Sequence, residues 1–457
     1  MKAVGLITEY NPMHQGHVYH LNQAKKITGA DVSIVVMSGN FVQRGEPAFI
    51  HKYARVKACI DVGVNLVVEL PSYYALSSAE GFATGAIKTL YSLMADSVVF
   101  GSESGNLPLL KAVADIIGTE PEEYRILLKN ALAAGQSFPL ARQSAMEQYL
   151  KHSKEQEKQP KDLKKLTYTE EELAEILSFP NNILGIEYLK AIAHFAKDLK
   201  PYTIERIGSS YHETGVIADE MPSATAIRGI LEHWDSSSLD NKNASDCCCN
   251  NEMPLSETEI ARLKQMMPDS MADQILTCYG SCCPVIADDF TPLLNYKLSQ
   301  IFYQNSYDKK EIALALSSYV DISIDLANRI ADCYDGKLSF SELTAKIKTR
   351  QYTYSRISRC LFHILLDMTK VRNGKYSAEQ VPYIRILGFD ENGQKYLGHI
   401  KKKCKVPIIT KPADNKDLLN EDVYISGIYN QIVNNRFHTT LKDEYRAGIY
   451  MPQHQGK

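Results

Sequence analysis

The sequence predicts an α/β fold, with a parallel sheet in its first part and a mainly helical C-terminal region. Two observations support this prediction. From residue 1 to about residue 120, short β-branched apolar runs alternate with helical patterns, which is typical of strands buried on both faces of a parallel sheet. From about residue 256 the apolar residues follow helical spacing. The 457 residues suggest about two to four domains.

The elements of the first part are predicted in alternation. Strands are expected at residues 3–7, 32–37, 64–70, 97–101 and 201–207. Helices are expected at residues 18–27, 53–62, 79–93, 109–117 and 226–232. The stretch 120–200 has a helical pattern, interrupted at 151–165 by a run rich in Lys, Glu and Gln that predicts an exposed, mobile insertion.

Composition shifts divide the chain into three parts. Residues 1–235 form the predicted α/β domain. Residues 236–251 are polar, low in complexity and include a run of three cysteines, which indicates a linker or mobile loop. Residues 252–457 form the predicted helical region.

Charge is balanced globally and concentrated locally. The net charge of −3 excludes a globally basic coat protein for nucleic acids. Residues 341–410, however, hold 14 Lys and Arg against 5 Asp and Glu. This local excess favours RNA contact, although a solvated helix face is the alternative. The residues expected to contact RNA are Arg350, Tyr352, Arg356, Arg359, Lys401, Lys402 and Lys403.

The location of the protein and the state of its cysteines follow from similar observations. No apolar run approaches the roughly 18 residues of a membrane span, and the first residues do not resemble a signal peptide, so we expect a cytoplasmic protein. Its ten cysteines are then reduced. The clusters are runs of adjacent cysteines rather than paired ligands, which argues against a structural metal site.

The strongest motif is Tyr10-Asn11-Pro12-Met13-His14-Gln15-Gly16-His17, directly after the first strand. Asn11 is expected to cap a helix that begins at Pro12. His14 and His17 then share one face of the first turn, where free N–H groups and the helix dipole favour phosphate. Structural histidines or metal ligands are the alternatives, but two histidines make a poor metal site.

A second motif, residues 223–228, opens the last predicted helix of the first part. Ser223 or Thr225 can cap this helix, and its N–H groups can bind a second phosphate. Arg228 supplies a permanent positive charge. We therefore expect His14, His17 and Arg228 to act in catalysis.

Together, the two motifs resemble those of the nucleotidyltransferase superfamily, which has a Rossmann-like parallel sheet. Longer segments resemble the bacterial tRNA(Met) cytidine acetate ligase family, and the resemblance covers nearly the whole chain. These segments are residues 5–12, 38–47, 69–71, 100–105, 180–185 and 350–359.

The resemblance implies a reaction in two steps. Acetate attacks the α-phosphate of ATP to give acetyl-adenylate and pyrophosphate. The N4 amine of the wobble cytidine in elongator tRNA(Met) then accepts the acetyl group, giving N4-acetylcytidine. ATP, acetate and this tRNA are the expected partners, with Mg2+ bridging the phosphates and with no membrane or stable protein partner. A small-molecule adenylyltransferase and an RNA-binding protein with a vestigial nucleotide site are the rival hypotheses.

The resemblance also implies site residues. ATP contacts are expected from Ile7, Thr8, Glu9, Tyr10, Asn11, Pro12, Met13, His14, Gln15, Gly16, His17, Val18, Tyr19, His20, Gly101, Asn181 and Arg206, together with Ser223 and Thr225 of the second motif. From the residues alone, Gly101 could be a turn glycine, Asn181 or Asn182 a helix cap, and Arg206 a surface ion-pair partner. An acetate or tRNA neighbourhood is expected at Ser38, Gly39, Asn40, Gln43 and Arg44.

Overall fold

The computed structural model describes residues 1–155, 168–206, 223–240 and 256–452, and a sheet lies at its centre. The strands of these residues are β1 (Ala3–Thr8), β2 (Val32–Ser38), β3 (Phe41–Val42), β4 (Glu46–Pro47), β5 (Leu66–Leu70), β6 (Ser97–Ser102), β7 (Lys200–Glu205), β8 (Ile384–Phe389) and β9 (Ile408–Ile409). Seven of them form one sheet in the order β7-β6-β1-β2-β5-β8-β9, and β3 pairs with β4 in a separate hairpin.

The first five strands of the large sheet are parallel, as the sequence predicts. β1 pairs in parallel with β2 and β6, β2 with β5, and β6 with β7. β2 and β5 are buried throughout, which explains their unbroken apolar runs. The parallel order brings the carboxyl ends of β1, β2 and β6 to one edge of the sheet.

The helices of the first part follow the predicted alternation. They are α1 (Gln15–Thr28), α2 (Lys52–Asp61), α3 (Ser72–Ala75), α4 (Ala79–Ser92), α5 (Leu107–Thr119), α6 (Glu122–Ala133), α7 (Phe138–Glu155), α8 (Glu170–Ser178), α9 (Pro180–Phe195) and α10 (Ala224–Asp240). α7 and α10 extend into the stretches predicted as an insertion and a linker. The remainders of those stretches, 156–165 and 241–251, lie outside the described residues, so the domain division there stays a prediction.

The C-terminal region is mainly helical, as predicted. Its helices are α11 (Glu257–Met266), α12 (Asp269–Cys278), α13 (Thr291–Gln304), α14 (Lys309–Ser317), α15 (Ile324–Cys333), α16 (Phe340–Ile347), α17 (Tyr354–Leu365), α18 (Lys370–Asn373), α19 (Glu391–Ile400) and α20 (Lys416–Phe437). Within the described ranges, no helix has both the length and the apolar composition that a membrane crossing requires.

Two strands of the C-terminal region, β8 and β9, belong to the same sheet as the first five strands. The sequence does not predict these two strands. β8 pairs antiparallel with β5, and β9 extends the sheet beyond β8. A buried ionic network reinforces this junction. Lys52 Nζ lies 2.6 Å from Glu69 Oε1 and 2.9 Å from Glu444 Oε1, and Arg385 pairs with both carboxylates. The network links α2, β5 and β8 to the segment after α20.

Candidate nucleotide-binding site

Two histidines form the N-terminal cap of α1 at the carboxyl edge of β1. His14 is the N-cap, and its Nδ1 accepts a hydrogen bond from the backbone N–H of Gly16 at 3.1 Å. His17 Nδ1 accepts from the backbone N–H of His14 at 3.2 Å. Because Nδ1 is the acceptor in both rings, each neutral ring carries its proton on Nε2. Each Nε2–H is therefore available as a donor.

The helix begins three residues later than predicted, at Gln15, and Asn11 is not its cap. The Asn11 side chain instead accepts a hydrogen bond from the backbone N–H of Phe49 at 2.7 Å. His14 and His17 do share the first turn, with ring centroids 3.8 Å apart. The two histidines are therefore adjacent, as the sequence predicts, although the predicted cap was wrong.

The histidines of α1 are held in the neutral form. Burial lowers the pKa of His14 to about 3 and that of His20 to about 4, and the nearby Arg206 charge adds to both shifts. Burial also places the pKa of His17 well below its usual value. At neutral pH these rings can therefore donate hydrogen bonds to phosphate oxygens, whereas the positive charge must come from arginines.

The second motif meets the first at this edge. The Ser223 hydroxyl accepts a hydrogen bond from the backbone N–H of Ala226 at 3.2 Å, so Ser223 provides the predicted cap, and Thr225 lies exposed in the first turn of α10. Arg228 donates from Nη1 to the Asn11 carbonyl at 2.8 Å, and its Nη2 lies 3.2 Å from Glu46 Oε2. A guanidinium from residue 228 thus lies beside the histidine motif.

Gly101 and Arg206 form the opposite flank. Gly101 lies near the end of β6, and a Cβ placed there would be 3.3 Å from Arg206 Cγ. The Arg206 side chain therefore passes over the glycine. The positive charge of Arg206 contributes to lowering the pKa values of His14 and His20.

Glu103, which the sequence did not single out, caps α9. Asn181 donates to Glu103 Oε1 from Nδ2 at 2.6 Å and from the backbone at 3.3 Å, and the backbone N–H of Asn182 donates to Oε2 at 2.8 Å. Neither asparagine is the N-cap, which is Phe179. The carboxylate supplies the capping acceptor and fixes the Asn181 side chain at the end of β6.

A second residue that the sequence did not single out, Arg55, binds the backbone at the edge of the site. Its buried guanidinium donates to the carbonyls of Glu9 at 2.6 Å and Ser38 at 3.1 Å, and also to that of Gly39. It thereby joins the ends of β1 and β2 through their backbone. An arginine within a helical pattern gives no sequence signal of such a role.

The predicted acetate or tRNA neighbourhood is partly structural. Asn40 Oδ1 accepts from the backbone N–H of Lys52 at 2.9 Å, and Glu9 Oε1 accepts from the backbone N–H of Gln43 at 2.8 Å. Ser38 is fully buried. The Glu9 and Arg44 charges interact at the same edge.

Side chains in the first motif and on either side of it pack around the two histidines. Tyr10 and Met13 are buried, and the Tyr10 ring meets His17 edge to face with centroids 4.9 Å apart. Ile7 and Thr8 end β1. Pro12 is buried, and the residues of the first turns of α1 are half-buried: Gln15, Gly16, His17, Val18, Tyr19 and His20.

The predicted RNA-contacting residues fall into two places. Arg356 and the buried Arg359 pair with Asp321 at 3.2 and 3.5 Å, and the Arg356 guanidinium lies 5.4 Å from the Tyr352 ring centre. Arg350 is exposed nearby. Gly45, with φ +77°, packs directly on the Arg359 backbone, so the second turn of α17 borders the β3–β4 hairpin of the site.

The lysine run lies elsewhere. Lys401, Lys402 and Lys403 are exposed after α19, and Lys403 lines a cavity with Asp96 and Lys200, at the amino ends of β6 and β7. Gly101 and Arg206 are at the other ends of these strands. The sequence predicts the arginine cluster at 350–359 and the lysine run at 401–403 as one basic surface. In the fold they lie at opposite ends of the strands of the sheet.

The chain as a whole matches a known family. The family model described as HIGH Nucleotidyl Transferase matches residues 1–444. Paired histidines at the first helix of a parallel sheet, together with this match over almost the whole chain, define a nucleotidyltransferase of the HIGH class.

The particular family follows from curated relatives. The tRNA(Met) cytidine acetate ligase of Acetivibrio thermocellus is 37% identical over 416 residues, covering 91% of this chain and 89% of its own. That of Caldicellulosiruptor saccharolyticus is 36% identical over 461 residues, covering 100% of both chains. The chain belongs to the tRNA(Met) cytidine acetate ligase family, which confirms the resemblance stated above.

Solved structures extend the comparison to three dimensions. The apo crystal structure of Thermotoga maritima TmcAL superimposes with a TM-score of 0.82 at 28% identity, over 99% of this chain and 100% of that chain. The same protein bound with alpha-thio ATP gives 0.78 at 27% identity, over 99% of both. The predicted α/β nucleotidyltransferase fold with a helical C-terminal region is confirmed.

Proposed function

We propose that this protein activates acetate with ATP and transfers the acetyl group to N4 of the wobble cytidine in elongator tRNA(Met), in the cytoplasm. The observation that supports this most directly is the pair of Nε2–H donors at the N-terminus of α1, with Arg206 and Arg228 nearby. Such an edge stabilises negative charge on phosphates. The membership of the family supplies the substrates.

The first step needs charge stabilisation more than acid–base catalysis. An acetate oxygen attacks the α-phosphorus of ATP and the bond to pyrophosphate breaks. His14 and His17 donate hydrogen bonds to the phosphate oxygens, and Arg206 and Arg228 neutralise the charge. Acetate is already ionised at neutral pH, so no base is required.

The second step transfers the acetyl group. The cytidine N4 attacks the acetyl carbon, the bond from that carbon to the AMP phosphate oxygen breaks, and the proton that N4 loses passes to solvent. AMP is a good leaving group, which makes the acyl-adenylate reactive without acetyl-CoA.

Mg2+ is proposed to enter with ATP. The carboxylates described at this edge, those of Glu9, Glu46 and Glu103, each bind a protein N–H or guanidinium group. They do not form an oxygen ligand set for a hard cation, so Mg2+ would depend on phosphate and water oxygens. No step of the mechanism above is assigned to it.

We place the tRNA near Arg350, Tyr352 and Arg356 rather than at the lysine run. These residues adjoin α17, which borders the site, whereas Lys403 lies beside Asp96 and Lys200 at the other ends of β6 and β7. Arg359 is buried and paired with Asp321, so its contribution is to hold this surface in place. Lys401, Lys402 and Lys403 can then reach only a remote part of the same tRNA.

The test is a radiolabel assay with ATP, Mg2+, labelled acetate and total tRNA, followed by nucleoside analysis. We expect label in N4-acetylcytidine, none without tRNA, and a loss of about 10²-fold or more in His17→Asn. This variant keeps an acceptor for the His14 N–H but loses the Nε2–H donor. His399→Ala, on the exposed face of α19, should behave as wild type.

Other outcomes would replace the proposal. If tRNA stays unlabelled and pyrophosphate is released with a phosphorylated small molecule, the protein is an adenylyltransferase. If it binds tRNA without any ATP turnover, the nucleotide site is vestigial.

A further inference from the structure

Three metal-ligating side chains from distant parts of the chain meet beside the start of α2. His51 Nε2 lies 3.9 Å from Cys278 Sγ, and these atoms and Cys282 Sγ all lie within 4.8 Å of one another. The two cysteines are buried and His51 is half-buried. Among the described residues, no other group of three His, Cys, Asp or Glu side chains converges in this way.

The backbone builds this cluster from two tight local structures. α12 ends at Cys278, whose carbonyl accepts hydrogen bonds from the N–H groups of Ser281, Cys282 and Cys283 at 3.0, 2.8 and 3.1 Å. This turn folds Cys282 back over Cys278. His51 is the N-cap of α2, and its Nδ1 faces the Ala54 N–H at 3.4 Å, so Nε2 faces the sulfur atoms.

We propose that His51, Cys278 and Cys282 bind one Zn2+ ion. In a tetrahedral site with Zn–S of ~2.3 Å and Zn–N of ~2.0 Å, neighbouring ligand atoms are ~3.5–3.8 Å apart. The separations, all within 4.8 Å, are therefore no more than about 1.3 Å longer than the required geometry. Because His51 is half-buried, water can reach the fourth position.

Zinc on Nε2 places the ring proton of His51 on Nδ1, which gives up the contact with the Ala54 N–H. That contact, 3.4 Å long, is the side-chain cap of α2. The bond to the metal replaces it, and the ring turns its Nδ1–H away from the Ala54 N–H. The two thiols bind as thiolates, and their protons leave to solvent when the metal enters.

The position of the cluster gives the ion a structural role. Tyr279, next to Cys278, donates from its hydroxyl to the Leu231 carbonyl of α10 at 2.8 Å. The backbone N–H of Val285, just beyond the turn, donates to the Phe49 carbonyl at 3.1 Å. A metal here would fix the turn between α10, which carries Arg228, and the segment before His51, which contacts Asn11.

The first measurement is the metal content of the untagged full-length protein, purified without added metal, by mass spectrometry of the elements. We expect about one zinc per chain, as one tetrahedral site requires. The protein treated with a chelator should bind Co2+ with a thiolate-to-cobalt charge-transfer band. These measurements do not depend on acetyl transfer. The proposed function can therefore be wrong while the metal site is confirmed, and the metal site can be wrong while the proposed function is confirmed.

Variants locate the site. Cys278→Ser, Cys282→Ser and His51→Ala should each lose most of the zinc, whereas Cys333→Ser should keep it. A second control replaces Cys247, Cys248 and Cys249, which lie outside the described residues, with Ser and should also keep the zinc. If the ligand variants fail to fold, protection of Cys278 and Cys282 from alkylation by added zinc in the wild-type protein replaces them as the test.

Absence of zinc together with absence of a cobalt band in the wild-type protein overturns the proposal. The proposal is also overturned if the variant lacking Cys247, Cys248 and Cys249 loses the metal while the His51 and Cys282 variants retain it. The zinc is then bound by the cysteines at 247–249.

Discussion

The residues that define this site do two tasks at once. His14 and His17 use Nδ1 to satisfy backbone N–H groups at the start of α1, and this use fixes the proton on Nε2. A residue with one hydrogen-bonding atom could cap the helix but could not also donate to a phosphate. An imidazole meets both requirements at each position, with Nδ1 as the acceptor and Nε2–H as the donor.

The desolvated histidines at the start of α1 make the protein sensitive to mild acid. The folded pKa of His20 is about 4, whereas the unfolded value is about 6.5. Below pH 6.5 the unfolded chain binds more protons, so the free energy of unfolding is complete above that pH and falls as the pH drops toward 4. At pH 5, His20 alone should cost about 1–2 kcal/mol.

Urea unfolding at pH 7.5 and pH 5 of the wild type and His20→Gln measures this contribution. The variant should lose less stability between the two pH values. Asp422, whose pKa burial raises to about 6, acts in the opposite direction in both proteins and so leaves the comparison intact. An equal loss in both proteins would contradict the prediction.

Elements could be predicted where the local sequence decides them. β1, β2 and β6 show as apolar runs because both faces of each strand are buried. β8 escaped prediction because its partner, β5, lies more than 300 residues earlier and its neighbours are helices. The roles of Arg55, Glu103 and His51 also depend on distant partners, which no local pattern reveals.

The cap of α9 provides a test at this scale. Glu103→Ala removes the acceptor for Asn181 and Asn182 and should cost about 0.5–2 kcal/mol in stability, as lost caps do. Because Asn181 would also lose its position beside Gly101, ATP binding should weaken. Thermal unfolding and calorimetric ATP titration give the two quantities.

Glu342→Ala is the matched control, since Glu342 caps α16 by accepting from the Ser339 N–H at 2.9 Å. It should lose comparable stability and keep the wild-type affinity for ATP. If both variants bind ATP equally well, the cap of α9 has no part in the nucleotide site.

At the scale of the whole molecule, residues of the C-terminal region are buried against the first α/β part of the chain. The network of Lys52, Glu69, Arg385 and Glu444 is almost fully buried. Removing one partner of a buried ion pair leaves an uncompensated charge and costs about 3–5 kcal/mol. We therefore expect Glu444→Gln to destabilise the protein by about that amount, measured by urea unfolding.

The neighbouring Asp443→Asn is the control, because the Asp443–Arg446 pair is exposed and such pairs contribute about 1 kcal/mol or less. A Glu444→Gln variant as stable as this control would show that the buried network does not hold the C-terminal segment.

The same junction decides whether the predicted domain of residues 1–235 can fold alone. A fragment ending at residue 235 would leave β5 without β8 and would leave Lys52 and Glu69 without Arg385 and Glu444. An unpaired, apolar strand edge beside buried charges favours aggregation.

We expect this fragment to be insoluble or unfolded by circular dichroism, and coexpression of residues 252–457 to restore a folded complex. A chain ending at Pro452 should fold like the full protein, since the junction is intact. A monomeric 1–235 fragment that binds ATP would instead show that the sheet is complete without β8, and that the C-terminal region was added to a self-sufficient domain.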